Sequence, residues 1–444
     1  MGTESDLPLY VRPEEHDPEN PFTDDQFDRR KLADRLTNMI GRLSVGCVLA
    51  IDAPWGEGKT WFGMNWASSL RSENFTVVFI DAFKQDYVED PFLMLCSEIL
   101  AEVKGDEQDK HTLVEAGVKV AKMLLPVAAK SAIRVAGNLL LGSIDLEQEI
   151  EKGIDEFDKG VADHVEKQLI KRLANHADDR KSVDGFKKLL QEYAQKTDKP
   201  LVIIIDELDR CRPDFAVRTI ERIKHFFDVP GVVFILLVNR SQLEASIRGI
   251  YGADVDATTY LGKFVQFWLR LPKRISIGNP LEDHNLKYLQ HLALRFGYES
   301  RLTEGQQFLP IFGNFASLEG LSLRDLERGV MLYALTQSTD GSGPFLQWMI
   351  YLKLALPKIY AGILAGDIQA HEDACKELAR MNGRDMGGNR TLIIINDLHE
   401  FIIGRSSQPS KALVEYINKY YPFSVRTRDD ASRGLNSLCR RIDL

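Results

Sequence analysis

The sequence predicts an α/β fold in which a parallel sheet is interrupted by a helical insertion and followed by a C-terminal helical domain. Three short, uncharged, apolar runs carry this prediction, at residues 45–51, 201–205 and 232–238. Such runs are typical of parallel strands buried on both faces of a sheet. Helical patterns follow them, and strands that alternate with helices favour right-handed crossovers in one parallel sheet.

The remaining elements follow from periodicity and from breaker residues. Residues 76–81 and 267–271 are two further candidate strands, and Pro272 stops the second. An amphipathic helix is predicted over 25–40, and another begins at Lys59. In the C-terminal half we predict helices at 286–296, 323–335, 345–365 and 370–381, a short strand at 391–395, and a mixed segment at 411–444.

The 444 residues suit two to three domains. Insertions and composition changes between the strands suggest where the domains begin and end. We predict a flexible tail (1–20), the first part of the sheet domain (21–110), a helical insertion (111–199), the second part of the sheet domain (200–275), a helical lid (276–340) and a mainly helical C-terminal domain (341–444).

Composition excludes several classes of protein. A net charge of −9 argues against bulk-charge binding to nucleic acid, although a local basic patch stays open. Five dispersed cysteines without a CxxC pair predict free thiols in a reducing cytoplasm. The apolar stretch 113–144 has a longest uncharged run of ten residues (135–144), whereas a membrane-spanning helix needs about 20. We therefore expect a cytoplasmic protein without a membrane span or signal peptide.

A glycine-rich turn joins the first strand to the helix at Lys59. Gly58, Lys59 and Thr60 match the end of the phosphate-binding pattern G-x-x-x-x-G-K-[ST], and Ala53 stands at its first glycine. In this motif backbone N–H groups cradle phosphates, the lysine reaches the β- and γ-phosphates, and the hydroxyl binds Mg²⁺. A chance glycine-rich turn is the alternative. The predicted nucleotide-binding residues are Pro54, Trp55, Gly56, Glu57, Gly58, Lys59, Thr60 and Trp61.

A second motif follows the apolar run 201–205. Asp206 ends the run and Glu207 comes next. An aspartate at the carboxyl end of a strand can hold Mg²⁺, and an adjacent glutamate can polarise the attacking water. Two solvated carboxylates at the end of a strand are the alternative. Together the motifs predict a P-loop NTPase sheet of the ASCE type, with ATP and Mg²⁺ as ligands and with Thr60 and Asp206 as the metal-binding residues.

Three further residues are candidates for contact with the γ-phosphate. Asn239 follows the run 232–238 and is a candidate sensor, or simply a turn residue. Arg324 or Arg328, at the start of a predicted helix, could reach the phosphates from a lid, or lie on an ordinary solvated face. The predicted catalytic residues are Glu207, Lys59, Asn239 and Arg324.

Several of these motifs resemble those of the KAP family of P-loop NTPases. The run Asp206-Glu-Leu-Asp209-Arg210-Cys211 is similar to the family's extended acidic signature, and Trp55-Gly56 and 239–243 are also similar. The resemblance covers roughly residues 20–335; Ala53 and Asn239 depart from the family pattern. It implies an ATPase without the membrane spans of many members. It also implies a link to phage exclusion and mobile elements, as in prokaryotic relatives.

Competing functions stay open at this point. Glu207 favours turnover of ATP that drives a conformational switch, whereas a nucleotide-gated scaffold with little turnover, or a DNA-linked mobile-element ATPase, are alternatives. A homo-oligomer or a protein partner encoded nearby is expected, and Arg210, Arg212 or Arg324 could face a γ-phosphate in cis or in trans. For Arg210, pairing with Asp209 or capping of the next helix is the alternative.

Two remaining clusters have ordinary explanations. His371 and Cys375 are four residues apart on a predicted helix, but two ligands alone are a weak metal signal. The segment 416–428 mixes aromatic residues with arginine and could stack on single-stranded nucleic acid, but half-buried aromatics of a small domain are the simpler interpretation.

Overall fold

The computed structural model describes most of the chain outside the predicted insertion. The described residues are 16–43, 45–88, 91–102, 187–188, 190–195, 197–224, 229–273, 284–295, 308–336, 344–384, 390–421 and 423–443. The predicted helices of 113–144, and most of the tail and insertion, lie outside them. By their contacts, the described residues group into two compact units: a sheet unit (His16–Pro54 and Lys59–Leu271) and a helical unit (Trp55–Gly58 and Pro272–Leu444).

Five parallel strands form the centre of the sheet unit. They are β1 (Cys47–Asp52), β2 (Val77–Asp81), β3 (Leu201–Asp206), β4 (Val232–Val238) and β5 (Phe267–Arg270). Their order across the sheet is β2-β3-β4-β1-β5, and all neighbouring strands are parallel. Because β4 lies between β1 and β3, one strand separates the two strands that precede the predicted motifs.

The strand sequences alternate between two hydrophobic cores, one on each face of the sheet. Val48 and Ala50 of β1 point into one core, and Leu49 and Ile51 point into the other. All seven residues of β4 are buried. This double burial is why the strands are continuous apolar runs instead of alternating polar and apolar residues.

Helices cover both faces of the sheet. Those of the sheet unit are α1 (Arg29–Ile40), α2 (Lys59–Ser72), α3 (Pro91–Glu102), α4 (Pro213–Ile223), α5 (Arg240–Tyr251) and α6 (Ala257–Gly262). Helix α2 packs so closely on β4 that a Cβ atom at Gly63 would lie 2.3 Å from Cδ1 of Leu237. A glycine at this point therefore lets the helix that begins at Lys59 lie directly on the sheet.

The described elements of the helical unit are all helices. They are α7 (His284–Arg295), α8 (Phe308–Glu319), α9 (Leu323–Leu335), α10 (Pro344–Ala355), α11 (Pro357–Leu364), α12 (Ile368–Arg384), α13 (Arg390–Ile402), α14 (Lys411–Tyr420) and α15 (Arg428–Ile442). None of the helices within the described ranges is long and apolar enough to cross a membrane.

The predicted strand at 391–395 was wrong. These residues lie in α13, where Leu392, Ile394, Ile395 and Leu398 are buried and Ile393 is 47% exposed. Buried residues three and four positions apart fit the helical period. A run of four apolar residues cannot by itself distinguish a buried strand from one side of a helix.

Three other predicted boundaries also needed correction. The predicted helix 345–365 is two helices, because Leu356 precedes Pro357 and adopts φ −132°, which ends α10. The first helix begins at Arg29 rather than at residue 25. The segment 411–444, predicted to be mixed, holds helices α14 and α15.

A buried chain of hydrogen bonds links three helices of the helical unit. Trp348 Nε1–H of α10 donates to His399 Nε2 of α13 at 2.9 Å, and the two Nδ1 atoms of His399 and His371 lie 2.8 Å apart. The first bond places the proton of His399 on Nδ1, so His399 donates to His371, and both rings are neutral. Burial lowers the pKa of His371 to about 4, although Asp367 opposes the shift, and burial also lowers the pKa of His399.

We expect the helical unit to lose stability as the pH falls from about 6.5 towards 4. The unfolded chain takes up protons in this window, whereas the folded histidines do not, so the loss from His371 reaches about 3 kcal/mol. His371→Asn keeps an acceptor for His399 and should weaken the pH dependence, and His291→Asn is the control. Hydrogen exchange of peptides from α12 and α13 measures the effect. Equal pH dependence in His371→Asn and the wild type would contradict the prediction.

Candidate functional site

The carboxyl ends of the strands place acidic residues along one edge of the sheet. Asp52, Asp81 and Asp206 are the last residues of β1, β2 and β3. Asp81 and Asp206 are direct partners in the register. The carboxyl edge of an open parallel sheet is where such folds bind ligands. The structure thus brings Asp206, which was predicted as a site residue, to the same edge as Asp52 and Asp81, which were not.

Asp206 is the most deeply buried of these acids, with 1% of its surface exposed. Its Oδ1 accepts the Glu207 N–H at 2.8 Å, and its carboxylate also bonds to the Thr60 hydroxyl. Burial raises the pKa of Asp206 to about 6, although both hydrogen bonds oppose that shift. The second residue of α2 therefore meets the end of β3, and the two predicted metal-binding residues are in contact.

Lys59 begins α2 and is 8% exposed. Its Nζ donates to the carbonyl oxygens of Ala53 at 2.8 Å and Pro54 at 3.2 Å. Burial lowers the pKa of Lys59, and the carboxylates of Asp209 and Asp206 oppose this shift. The ammonium thus donates to two backbone carbonyls, and two buried carboxylates favour its charged form.

Glu207 follows β3 in a left-handed backbone conformation, with φ of 58°. A short 3₁₀ turn, Leu208–Arg210, comes next and returns Arg210 to the glutamate. The Arg210 guanidinium lies 2.8 Å from Glu207 Oε1. Arg210 therefore forms an ion pair with Glu207.

Asn239 occupies the end of β4, between the ends of β1 and β3. Its Oδ1 accepts a hydrogen bond from the Ser241 hydroxyl at 2.8 Å, and the next residue, Arg240, donates its N–H to Asp52 at 2.9 Å. This places the Asn239 amide at the same edge as Asp206. Its role as a sensor stays a prediction.

The loop residues Trp55–Gly58 group with the helical unit. Gly56 adopts φ of 82°, and a Cβ atom there would lie 2.8 Å from Ser322 Oγ and 2.9 Å from Arg324 Cβ. The Arg324 N–H donates to the Gly56 carbonyl at 3.2 Å. Only glycine fits this close approach to the start of α9, where Ser322 and Asp325 form a capping box.

Glu57 and two arginines complete this part of the molecule. Glu57 is 7% exposed and its Oε1 lies 3.0 Å from Lys273 Nζ, which also donates to the Leu321 carbonyl. The Arg324 side chain is exposed, and Arg328 lies 3.8 Å from Asp325. The structure thus pairs Glu57 with Lys273, and contact of Glu57 with nucleotide stays a prediction.

The aromatic residues of the loop region differ in exposure. Trp55 is 43% exposed, and Pro54 before it is exposed as well. The Trp61 ring meets the buried Phe22 ring edge to face at 5.7 Å. Trp61 therefore contributes to packing on α2, and nucleotide contact by either tryptophan stays a prediction.

Sequence reasoning missed two residues of the site. Asp209 is 6% exposed and provides the largest electrostatic support for the charge of Lys59. Asp52 fixes Arg240 and also acts on Lys59. Asp209 belonged to the acidic signature, but only the fold could bring its carboxylate to a lysine 150 positions earlier in the chain.

The residues present fit a magnesium-bound phosphate ligand. A carboxylate and a hydroxyl are the hard oxygen donors that Mg²⁺ prefers. Gly56 and Gly58 both have positive φ, which lets the loop backbone turn its N–H groups towards one point. In the described part of the chain no cluster of three or more His, Cys, Asp and Glu residues is arranged to hold a metal.

Comparisons with known proteins identify the family of the chain. The model of the KAP family P-loop domain matches residues 29–279. No curated protein matches the chain. Two solved structures are similar over most of the chain: a DNA replication initiation factor (11% identity, TM-score 0.35, 98% of this chain and 97% of the other) and the Aeropyrum pernix ORC2 protein in ADPNP–ADP complexes (10% identity, TM-score 0.33, 94% and 93%). These TM-scores give neither similarity weight for function.

We expect Asp206→Asn to stabilise the metal-free protein. The carboxyl pKa rises from 3.8 to about 6 on folding, so the folded state loses about 3 kcal/mol as the pH rises through that window. An amide removes this cost and can keep the bond from the Glu207 N–H. Denaturant unfolding at pH 8 should show a higher free energy of unfolding, and the gain should vanish near pH 4.

Asp81→Asn is the matched control, because Asp81 ends the neighbouring strand but is only half-buried and pairs with Lys84. If Asp206→Asn is no more stable than the wild type at pH 8, burial of the ionised Asp206 carboxylate does not destabilise the folded state.

Proposed function

Because the chain belongs to the KAP family of P-loop proteins, we propose that it binds ATP with Mg²⁺ and hydrolyses the β–γ phosphoanhydride to drive a conformational switch. The observation that carries this proposal is the contact of Thr60 with buried Asp206, beside Glu207. A lysine, a hydroxyl, a buried carboxylate and a second carboxylate thus lie at one edge of the sheet.

Each of these groups has a distinct part in the proposed reaction. Lys59 leaves the carbonyls of its loop for the β- and γ-phosphate oxygens, and Thr60 and Asp206 would hold Mg²⁺, which neutralises charge that develops on those oxygens. Glu207 accepts a proton as the water oxygen bonds to the γ-phosphorus and the bond to the bridging oxygen breaks. The products are ADP and inorganic phosphate.

Asn239 and Arg324 complete the proposal. The Asn239 amide would orient water or the γ-phosphate from the end of β4. An arginine that stabilises the transition state can contribute roughly 10³–10⁵ in rate in P-loop enzymes. We propose Arg324 for this part because its side chain is exposed and its backbone contacts the loop at Gly56. Self-association, which would let a neighbour provide such an arginine, stays a prediction.

The resemblance to prokaryotic relatives supports an anti-phage defence system as the setting for this activity. The efficiency of phage plating on cells that carry the gene and its genomic neighbours tests this part. Equal plating with and without an intact Lys59 would remove the defence role and leave the ATPase proposal untouched.

We expect Lys59→Ala to abolish binding of triphosphate, because it removes the one lysine that the P-loop motif places on the β- and γ-phosphates. The substitution also leaves buried Asp206 and Asp209 without the cation that offsets their burial, so thermal melting must verify that the variant is folded. Titration with a fluorescent ATP analogue measures the affinity. Lys31→Ala, at an exposed lysine of α1, is the control. Unchanged affinity in Lys59→Ala would reject the site.

Glu207→Gln should have a different effect. The amide keeps the shape of the side chain but cannot accept the proton, so ATP should bind and persist while turnover falls roughly 10²-fold or more. Phosphate release and retention of radiolabelled ATP give the two measurements. Turnover at the parental rate would exclude Glu207 as the base. Negligible turnover in the wild type, with intact binding, would favour the nucleotide-gated scaffold.

A further inference from the structure

The proposed base is held by an arginine of its own motif. Glu207 Oε1 and the Arg210 guanidinium lie 2.8 Å apart, and the side chains are only 16% and 31% exposed. A half-buried charge-assisted bond of this length is stronger than a solvated surface pair. The Arg210 guanidinium is therefore a defined partner of the Glu207 carboxylate.

The backbone around the pair is fixed on both sides. The Glu207 N–H donates to Asp206, and the Glu207 carbonyl accepts the Arg210 N–H at 3.1 Å and the Cys211 thiol at 3.6 Å. Glu207 is one of four non-glycine residues with positive φ in the described part of the chain. A backbone held in this rare conformation leaves side-chain rotation as the main freedom of Glu207, and the ion pair restricts that freedom.

The surrounding charges allow Arg210 two different partners. The charge of Arg210 acts on Lys59, the predicted phosphate-binding lysine, and lowers the pKa of that ammonium. Asp206 and Asp209 also act on Lys59. Arg210 could thus contact a phosphate, or it could act on the base. The 2.8 Å bond is made to the base.

We propose that Arg210 is a positioning residue that acts through Glu207: it selects the side-chain orientation in which the carboxylate accepts the proton of the attacking water. This inference rests on the proposed ATPase function. A base oriented by a third group is a general feature of activated nucleophiles. A glutamate side chain has three rotatable bonds and many orientations, so a partner that fixes one orientation matters more for glutamate than for a rigid base.

A double-mutant cycle of Arg210→Gln and Glu207→Gln tests the inference. Arg210→Gln alone should lower kcat roughly 10- to 100-fold, because the base is misplaced. KM for Mg–ATP, and the affinities for ATP and ADP analogues, should change less than about twofold. In the Glu207→Gln background, Arg210→Gln should cause no further loss in single-turnover rate. Arg210→Lys keeps a charge and should recover part of kcat.

The control is Arg218→Gln, at an exposed arginine of α4, which should leave kcat and KM unchanged. Thermal melting and analogue binding verify that each variant is folded. If Arg210→Gln does not fold, Arg210→Lys alone carries the test, since a point charge cannot reproduce the guanidinium geometry and kcat should fall at unchanged KM.

Other outcomes overturn the inference in distinguishable ways. Weaker binding of ATP than of ADP in Arg210→Gln, in both backgrounds at residue 207, would assign Arg210 to the γ-phosphate. A higher kcat in Arg210→Gln would mean that the ion pair lowers the activity of Glu207 as a base. An unchanged kcat would mean that the ion pair does not contribute to catalysis. By contrast, equal turnover in Glu207→Gln and the wild type would reject the proposed function itself.

Discussion

The site depends on burial of opposite charges at the carboxyl edge of the sheet. Lys59, Asp206 and Asp209 are each less than 10% exposed, although removing any one charge from water is costly. The two carboxylates offset the burial of the ammonium, and the loop carbonyls of Ala53 and Pro54 accept its hydrogen bonds. This arrangement lowers the stability of the fold. In return, the cation is already desolvated at the position where an anion is expected to bind.

The sheet topology makes that burial achievable. Strand β4 lies between β1 and β3, and helix α2 lies directly on β4 at Gly63, so the first residues of α2 reach the end of β3. The same edge then presents Glu207 and Asn239, which follow β3 and β4. Positions far apart in the chain thus become neighbours because parallel strands end on the same side.

The helical unit shows how local patterns can mislead. The run at 391–395 has the composition of a strand, yet it lies in α13, where buried residues such as Leu392, Ile395 and His399 are three and four positions apart. A proline ended α10 within a stretch whose apolar content suggested one helix. The spacing of His371 and Cys375 in the sequence was a weak signal for a metal site. In the structure His371 instead accepts a buried hydrogen bond from His399, and both rings are neutral.

The sequence by itself determined the strands, the helix start at Lys59 and the order of the motifs, because apolar runs, glycine turns and strand-end acids are local signals. Only the tertiary structure decided which groups meet. The Arg210 guanidinium pairs with Glu207, and Asp209 favours the charged form of Lys59. Glu57 binds Lys273. These choices depend on a left-handed residue after β3, on a short 3₁₀ turn and on contacts across more than a hundred residues, and no local pattern in the chain encodes such distances.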